Sequence, residues 1–308
     1  MSHAAYRILH EKGLLKERAG QALKLLEDCR LCPRECGKDR TLHETGFCRT
    51  GRHARVASYG PHFGEEAPLV GSHGSGTIFF SSCNLLCTFC QNHDISHGNE
   101  GTEAGPSLLA GMMLDLADRG CCNINFVTPS HVVPQILEAL VMAADAGLDL
   151  PLVFNTGGYD KAETLGLLDG IVDIYMPDLK FWDEGPAAAF CSAPDYRETV
   201  CRAIREMHRQ VGDLTVDDHG LARRGLLVRH LVMPGGLAGT EEAMKFLAEK
   251  ISFNTYVNVM DQYLPCHRAG EDARINRRIT VTEYGEAIEA ARRAGLHRLD
   301  GRHGYRCR

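Results

Sequence analysis

The chain has 308 residues, 44% of them apolar and 24% charged, which is enough to bury a large core and ordinary for a globular protein. Its formal net charge is −6, and apart from a mildly basic C-terminal stretch (Arg292, Arg293, Arg298, Arg302, Arg306, Arg308) its Lys and Arg are scattered, so bulk electrostatics gives no case for nucleic-acid binding. No apolar run is long enough to span a bilayer and residues 1–6 lack an apolar signal core. A cytoplasmic setting is expected, in which clustered members of the 13 cysteines read as metal ligands rather than disulfides.

Residues 4–28 read as a helix, with Leu14, Leu15, Leu23, Leu25 and Leu26 set among charges. Cys29, Cys32, Cys36 and Cys48 follow in the pattern C-x2-C-P-x2-C-x11-C. C-x2-C lets one turn grip one metal, and four thiolates make either a closed zinc site or an iron–sulfur cluster; the spacing does not separate the two. Such a site would staple a segment too short to form its own core. Residues 57–76, rich in Gly, Pro and His, read as a loop with little regular structure. The expected division is an N-terminal helix and four-cysteine module over 1–60, a linker over 61–76, and the main domain over 77–308.

From residue 77 strands and helices alternate. Strands are expected at 77–81, 123–127, 152–155, 172–176, 225–233 and 256–261. Helices are expected at 107–119 with Ser107 as N-cap, 132–146 ended by Gly147, and 160–168. One or two more fall within 186–210, followed by 240–250 with Thr240 as N-cap and 282–294 with Thr282 as a capping candidate. This alternation implies an α/β fold with parallel strands joined by right-handed crossovers. A full (β/α)8 barrel usually takes about 250 residues, so six strands suit an open, partial barrel. In parallel α/β barrels the reactive site lies at the C-terminal ends of the strands.

After the first of these strands stand Cys83, Cys87 and Cys90, a C-x3-C-x2-C loop. A four-iron cluster normally takes four Cys ligands, so three local thiolates leave one iron for a non-protein ligand. A zinc loop with a distant fourth ligand, or unrelated cysteines, are the alternatives. With Phe89 just before the third cysteine, the motif resembles that of the radical S-adenosylmethionine (SAM) superfamily, and over roughly 77–270 the chain is similar to the pyruvate formate-lyase activating enzyme-like branch.

The resemblance implies a partial (β/α)6 barrel, a [4Fe–4S] cluster on Cys83, Cys87 and Cys90, and SAM on its open iron. It implies a one-electron donor such as flavodoxin or ferredoxin, and hydrogen abstraction by a 5′-deoxyadenosyl radical. Backbone around Phe89 and Gln91 would lie near the adenine; Gln91 stands where the branch commonly has His, while Asn92 matches. Val127-Thr128-Pro129-Ser130-His131 replaces the usual Gly-Gly-Glu, so the Thr128 or Ser130 hydroxyl or a carbonyl would take the SAM ammonium. Asn155 and Thr156 would contact the ribose or carboxylate, Asp178 and Lys180 would face the active site, and Arg229 would hold the carboxylate. His230 alternates to the other face and reads as structural. Pro265 and His267 match the branch's Leu-Pro-Tyr-His, with His267 a candidate SAM contact, and Gln262 and Tyr263 candidates for substrate. The four-cysteine module would carry zinc or a second cluster. The substrate stays open between a glycine of a partner protein and another molecule, and a metal-binding scaffold without turnover is the competing class.

Overall fold

The computed structural model describes residues 3–98 and 100–301. Met1, Ser2, Arg302, Arg306, Cys307 and Arg308 therefore lie outside the described residues.

The chain begins with α1 (Ala5–Glu11) and α2 (Leu14–Lys24). The single helix expected over 4–28 is broken at Gly13, whose φ of 75° belongs to the left-handed region that glycine adopts at no steric cost. After the cysteine segment come β1 (Ala54–His62), the short α3 (Ala67–Val70) and β2 (Ser75–Phe80). The expected loop over 57–76 is thus mostly regular structure. β1 pairs antiparallel with β2, and Pro61 and Gly60, which read as breakers, sit inside that pairing. Residue 60 lies within β1.

The remaining elements are α4 (His93–Ser96), β3 (Thr102–Ala104), α5 (Pro106–Asp118), β4 (Ile124–Val127) and α6 (Val133–Asp145). Then follow β5 (Leu152–Thr156), α7 (Ala162–Gly166), β6 (Ile174–Pro177), α8 (Glu184–Cys191) and α9 (Tyr196–Val211). The chain continues through β7 (Thr215–Val216), β8 (Ala222–Leu231), α10 (Thr240–Phe246), β9 (Tyr256–Met260), α11 (Val281–Arg293) and β10 (Arg298–Leu299). All six strands read from sequence are present, as β2, β4, β5, β6, β8 and β9.

The helix ends differ in detail. Pro106 opens α5 after Gly105, so Ser107 is inside the first turn rather than capping it. Thr240 likewise begins α10, and its hydroxyl meets His230 Nε2 at 2.9 Å. For α11 the cap is Thr280 rather than Thr282, in a reciprocal capping box with Glu283.

The protein is α/β, built on a mixed, largely parallel sheet of ten strands in the order β10-β9-β8-β6-β5-β4-β2-β1-β3, with β7 paired to β8. From β2 to β10 the neighbours are parallel and succeed one another in chain order. Right-handed crossovers that always step the same way put the connecting helices on one face.

The core confirms two faces by strand alternation. Ile78, Phe80, Ile124, Phe126, Phe154, Tyr175 and Val228 join the main core with the apolar stripes of the helices, among them Ile136 and Leu140 of α6 and Val200 and Ile204 of α9. Val153, Ile174, Met176 and Leu227 point the other way and pack with Leu69 of α3, so α3 fills the lower part of the opposite face. Tyr6, Leu15 and Ala19 belong to the main core, which ties α1 and α2 to the sheet domain.

Candidate metal and cofactor site

β2 delivers the chain into the loop of Cys83, Cys87 and Cys90, which is held on several sides. Ser82 N–H donates to Ile95 O at 2.8 Å, Thr88 N–H to Phe190 O at 2.8 Å, and Arg268 N–H to Thr88 O at 2.9 Å. Ser82 (φ 72°) and Leu86 (φ 52°) adopt left-handed backbone, as do Thr128 (φ 61°) and His267 (φ 51°) on adjoining loops. Such residues cost on the order of 1–3 kcal/mol each and persist only where their surroundings fix them. Here they gather at the C-terminal end of the sheet.

Cys87 is buried, and Cys83 and Cys90 are half-buried. Leu85 N–H donates to Cys83 Sγ at 3.3 Å, and the Ser96 hydroxyl to Cys90 Sγ at 3.2 Å. Cys87 Sγ lies 3.2 Å from Cys191 Sγ, at the end of α8. Loss of hydration, then the charges of Cys87 and Cys90, push the Cys83 thiol up to about 12. Cys87 is raised by its contact with Cys191 and then by burial, and Cys90 by burial and then by Cys87. The three sulfurs therefore sense one another.

Among the described residues, no three His, Cys, Asp or Glu side chains converge on a common point as an ion site. The donor set nevertheless fits a cationic cluster. Crowded, dehydrated thiols give up their protons to a positive partner, and N–H and O–H groups aimed at sulfur stabilise the thiolate.

The same test applies to the N-terminal set. Cys29, Cys32 and Cys48 are buried and Cys36 half-buried. Phe47 N–H donates to Cys36 Sγ at 3.3 Å, and Arg40 Nη1 to Cys29 Sγ at 3.7 Å. A Cβ on Gly46 would stand 2.5 Å from Cys36 Sγ, so only glycine lets this backbone approach the sulfur. Burial pushes Cys32 up to about 12, with Cys48 and Cys29 adding to the rise and Asn84 opposing it by a hydrogen bond. Cys29, Cys32, Cys36 and Cys48 line one small cavity, and a set of four thiols suits zinc or an iron–sulfur cluster alike.

The two cysteine sets touch. Asn84, the residue after Cys83, hydrogen-bonds to Cys32. Arg34 Nε donates to Asn84 O at 2.9 Å, and Arg34 Nη1 and Nη2 donate to Ser192 O and Cys191 O at 2.5 and 3.1 Å. Its guanidinium also stacks 4.0 Å from the centre of the Phe47 ring.

Beside the Cys loop lies a connected polar group from three strand ends. Arg229 Nε donates to Asp178 Oδ1 at 2.7 Å, Arg229 Nη2 to Asn155 Oδ1 at 2.7 Å, and Lys180 Nζ to Asp178 Oδ2 at 2.5 Å. Strand parity puts Asn155, Asp178 and Arg229 on the face opposite the helices. Burial alone would raise the Asp178 carboxyl, but Arg229 and Lys180 outweigh it and hold it below the usual carboxylate range. Burial works against the Lys180 ammonium, and Asp178 and then Cys87 more than restore it, so its pKa is raised. Lys180 thus links the polar group to the thiols.

Gly158 makes the geometry possible. Its φ is 79° and an added Cβ would stand 2.3 Å from Asp178 O.

The other sequence candidates scatter around this centre. Phe89 is buried edge-on to Phe181, with ring centroids 5.8 Å apart, and tilted against Tyr263. Gln91 Nε2 donates to Gln262 O at 2.9 Å, tying the loop to the end of β9. Thr156 turns away: its hydroxyl donates to Asp160 Oδ2 at 2.6 Å and meets Ser130 Oγ at 2.9 Å. Ser130 is thereby engaged at the back of the sheet. His267 stacks with His93 and tilts against His97, at 5.0 and 4.3 Å between centroids. Tyr263 is buried with its hydroxyl donating to Ile275 O at 2.7 Å, a core position. His230 is buried on the helix side, Nδ1 to Leu179 O at 2.7 Å.

The chain is 32% identical over 283 residues to uncharacterized protein MJ0674 of Methanocaldococcus jannaschii, an alignment covering 89% of this chain and 77% of that protein. It belongs to that protein's family. No family model matches the chain. Within this MJ0674 family member, sequence reading passed over Cys191, Asn84 and Arg34. Asn84 and Arg34 carried a signal, since each is a polar residue beside a cysteine motif, whereas Cys191 comes to Cys87 only through the tertiary fold.

Proposed function

We propose that this protein is a radical SAM enzyme in which Cys83, Cys87 and Cys90 hold a [4Fe–4S] cluster and SAM binds between them and the Asn155–Asp178–Lys180–Arg229 group. The observation that carries this reading is the meeting of a C-x3-C-x2-C loop with that charged group at one end of a parallel sheet. The partial (β/α)6 barrel belongs to the same reading. Its support is that β2, β4, β5, β6, β8 and β9 follow one another in chain order and carry Asn155, Asp178 and Arg229 at or just beyond the C-terminal ends of β5, β6 and β8 on the face opposite the helices.

When bound, the cluster and SAM supply one-electron cleavage of the SAM C5′–S bond and a 5′-deoxyadenosyl radical that takes a hydrogen atom from the substrate. The chain supplies position and exclusion of water. Arg229, fixed by Asp178 and Asn155, offers a preorganised cation to a carboxylate. Asp178 stays ionised and keeps both neighbouring cations in place. Phe89, packed on Phe181 and Tyr263, closes the loop against water. Asn155 joins through its side chain; Thr156, engaged with Asp160 and Ser130, acts through the shape of the turn.

In the same reading the N-terminal cysteines hold zinc or a second iron–sulfur cluster, an electron donor of the flavodoxin or ferredoxin type reduces the protein, and the work takes place in the cytoplasm. Among the described residues, no helix is long and apolar enough to cross a membrane.

The test is electron paramagnetic resonance of the anaerobically reconstituted, dithionite-reduced protein. A signal of a reduced [4Fe–4S] cluster that changes on adding SAM, and is missing in Cys87→Ala, is expected. A cluster signal indifferent to SAM would remove the reading.

A further inference from the structure

Beside and below the Asn155–Asp178–Arg229 group, the same face of the sheet carries polar groups that the chemistry above does not use; Asn258 stands in register with Arg229. The segment between β1 and α3 brings in Glu65 and Glu66, 8% and 4% exposed. Glu66 Oε1 accepts from Asn258 Nδ2 at 2.8 Å. Asn125 hydrogen-bonds to Glu65, and its Nδ2 also donates to Ser75 Oγ at 3.3 Å. These are two hydrogen-bonded pairs, Glu66–Asn258 and Glu65–Asn125, brought together by consecutive carboxylates that act on each other, and donation to carboxylates fixes which way both amides point.

Three atoms of this cluster have no hydrogen-bond partner: Glu66 Oε2, Asn125 Oδ1 and Asn258 Oδ1. Asn125 and Asn258 are 0% and 1% exposed, so bulk water does not serve them. Each buried unmade hydrogen bond costs about 1–3 kcal/mol, and all three groups are acceptors. Of the nearby charges, Asp178, Glu66 and Glu65 all act on Arg229, Lys180 acts on Asp178, and His62 Nδ1 lies 3.4 Å from Glu65 Oε1. Burial keeps the Glu65 carboxyl raised, with Arg229 opposing and Glu66 adding to the rise. A primary ammonium group has three N–H donors and one positive charge, which suits three unpartnered acceptors, one of them a carboxylate oxygen.

We propose that Glu65, Glu66, Asn125 and Asn258 form a binding site for the primary ammonium group of the substrate, so that the substrate is an amine. This rests on the reading of the upper part of the same face as the reaction site. The ammonium of SAM is the competing occupant: on the β9 side Asn258 stands in register with Arg229, whereas Glu65, Asn125 and Ser75 lie toward the start of β2, away from the Cys loop.

The test uses the full chain, anaerobically reconstituted, with n-butylammonium as probe and n-butanol and butyrate as neutral and anionic isosteres. Binding is read by ligand-observed NMR and by the shift of the melting temperature. Butylammonium should bind saturably, about tenfold or more tighter than either isostere, and about tenfold weaker to Glu66→Gln, as loss of a charge-assisted hydrogen bond implies. Equal binding of the three probes overturns the proposal, as does undiminished binding by a Glu66→Gln protein that melts cooperatively. If that variant does not fold, the wild-type selectivity decides alone. Competitive displacement of butylammonium by SAM also overturns it, because the site would then serve the cofactor. The two readings fail separately. Amine-selective binding by a protein that forms no 5′-deoxyadenosine keeps the ammonium site and removes the radical chemistry; 5′-deoxyadenosine without amine selectivity does the reverse.

Discussion

Replacing Asp178 by Asn removes the one carboxylate that joins Arg229 to Lys180. The three side chains are 13%, 19% and 17% exposed in that order, so the ion pairs are largely but not wholly withdrawn from water. Removing one partner of a buried pair costs roughly 3–5 kcal/mol, because the remaining charge is left uncompensated. Partial exposure places this site at the lower end, about 3 kcal/mol. Unfolding entropy is ~2.1 cal/mol/K per residue, so 308 residues melting together change stability by about 0.65 kcal/mol per kelvin. The expected fall in Tm is then about 5 °C. The assay is thermal denaturation of the metal-free chain followed by circular dichroism, which keeps cofactor linkage out of the comparison. Asp178→Asn with Arg229→Met should recover part of the loss, since one stranded cation is gone. As a control, Asp169→Asn removes an exposed pair with Arg209, 39% and 57% exposed, and should move Tm by about 1 °C or less. A shift for Asp178→Asn no larger than the control would refute the claim that this carboxylate organises the site.

Gly158→Ala should destabilise by at least ~2 kcal/mol, since the new Cβ meets Asp178 O at 2.3 Å with φ at 79°; an unchanged Tm would contradict the packing described. Asp160 is buried and its pKa is raised from 3.8 to about 6, chiefly by loss of hydration. The folded state thus holds this proton more tightly, and the contribution is complete below the unfolded value and lost as pH rises through about 6. Relative to wild type, Asp160→Asn should therefore gain stability between pH 4 and 7, on the order of 3 kcal/mol at ~1.4 kcal/mol per pKa unit, and a flat difference in Tm across that range would count against it. Cys87→Ala should lose the iron of one site while the metal on Cys29, Cys32, Cys36 and Cys48 remains; elemental analysis showing both gone would mean the sites are not independent. Arg34→Met should expose the N-terminal segment to limited proteolysis, because Arg34 carries the hydrogen bonds to Asn84, Ser192 and Cys191.

Much of the architecture was legible because period-2 and period-3.6 apolar patterns are strong from residue 77 onward. All six expected parallel strands formed, each read from a run such as Val153–Phe154 or Leu226–Val228. The N-terminal fifth was harder. Gly13 breaks a helix that its leucines alone would extend, and residues 57–76 hide a strand and a buried helix behind Gly and Pro. Their order comes from pairing with β2 and from burial of Leu69, which are tertiary effects. Asp178, Lys180 and Arg229 were readable as strand-end charges, but not their joint hydrogen bonding with Asn155, which depends on register. Thr156 read as part of the site and faces away because strand alternation sends it to Asp160. Glu65 and Glu66 gave no sequence signal, since an acidic pair in a Gly-rich stretch ordinarily faces water.

The most direct test of the central claim is 5′-deoxyadenosine formation by the anaerobically reconstituted protein with dithionite and SAM, with Cys87→Ala alongside. Product from the wild type and none from the variant is the predicted result. No product from a protein shown to carry a reducible [4Fe–4S] cluster, or equal product from both, would contradict it.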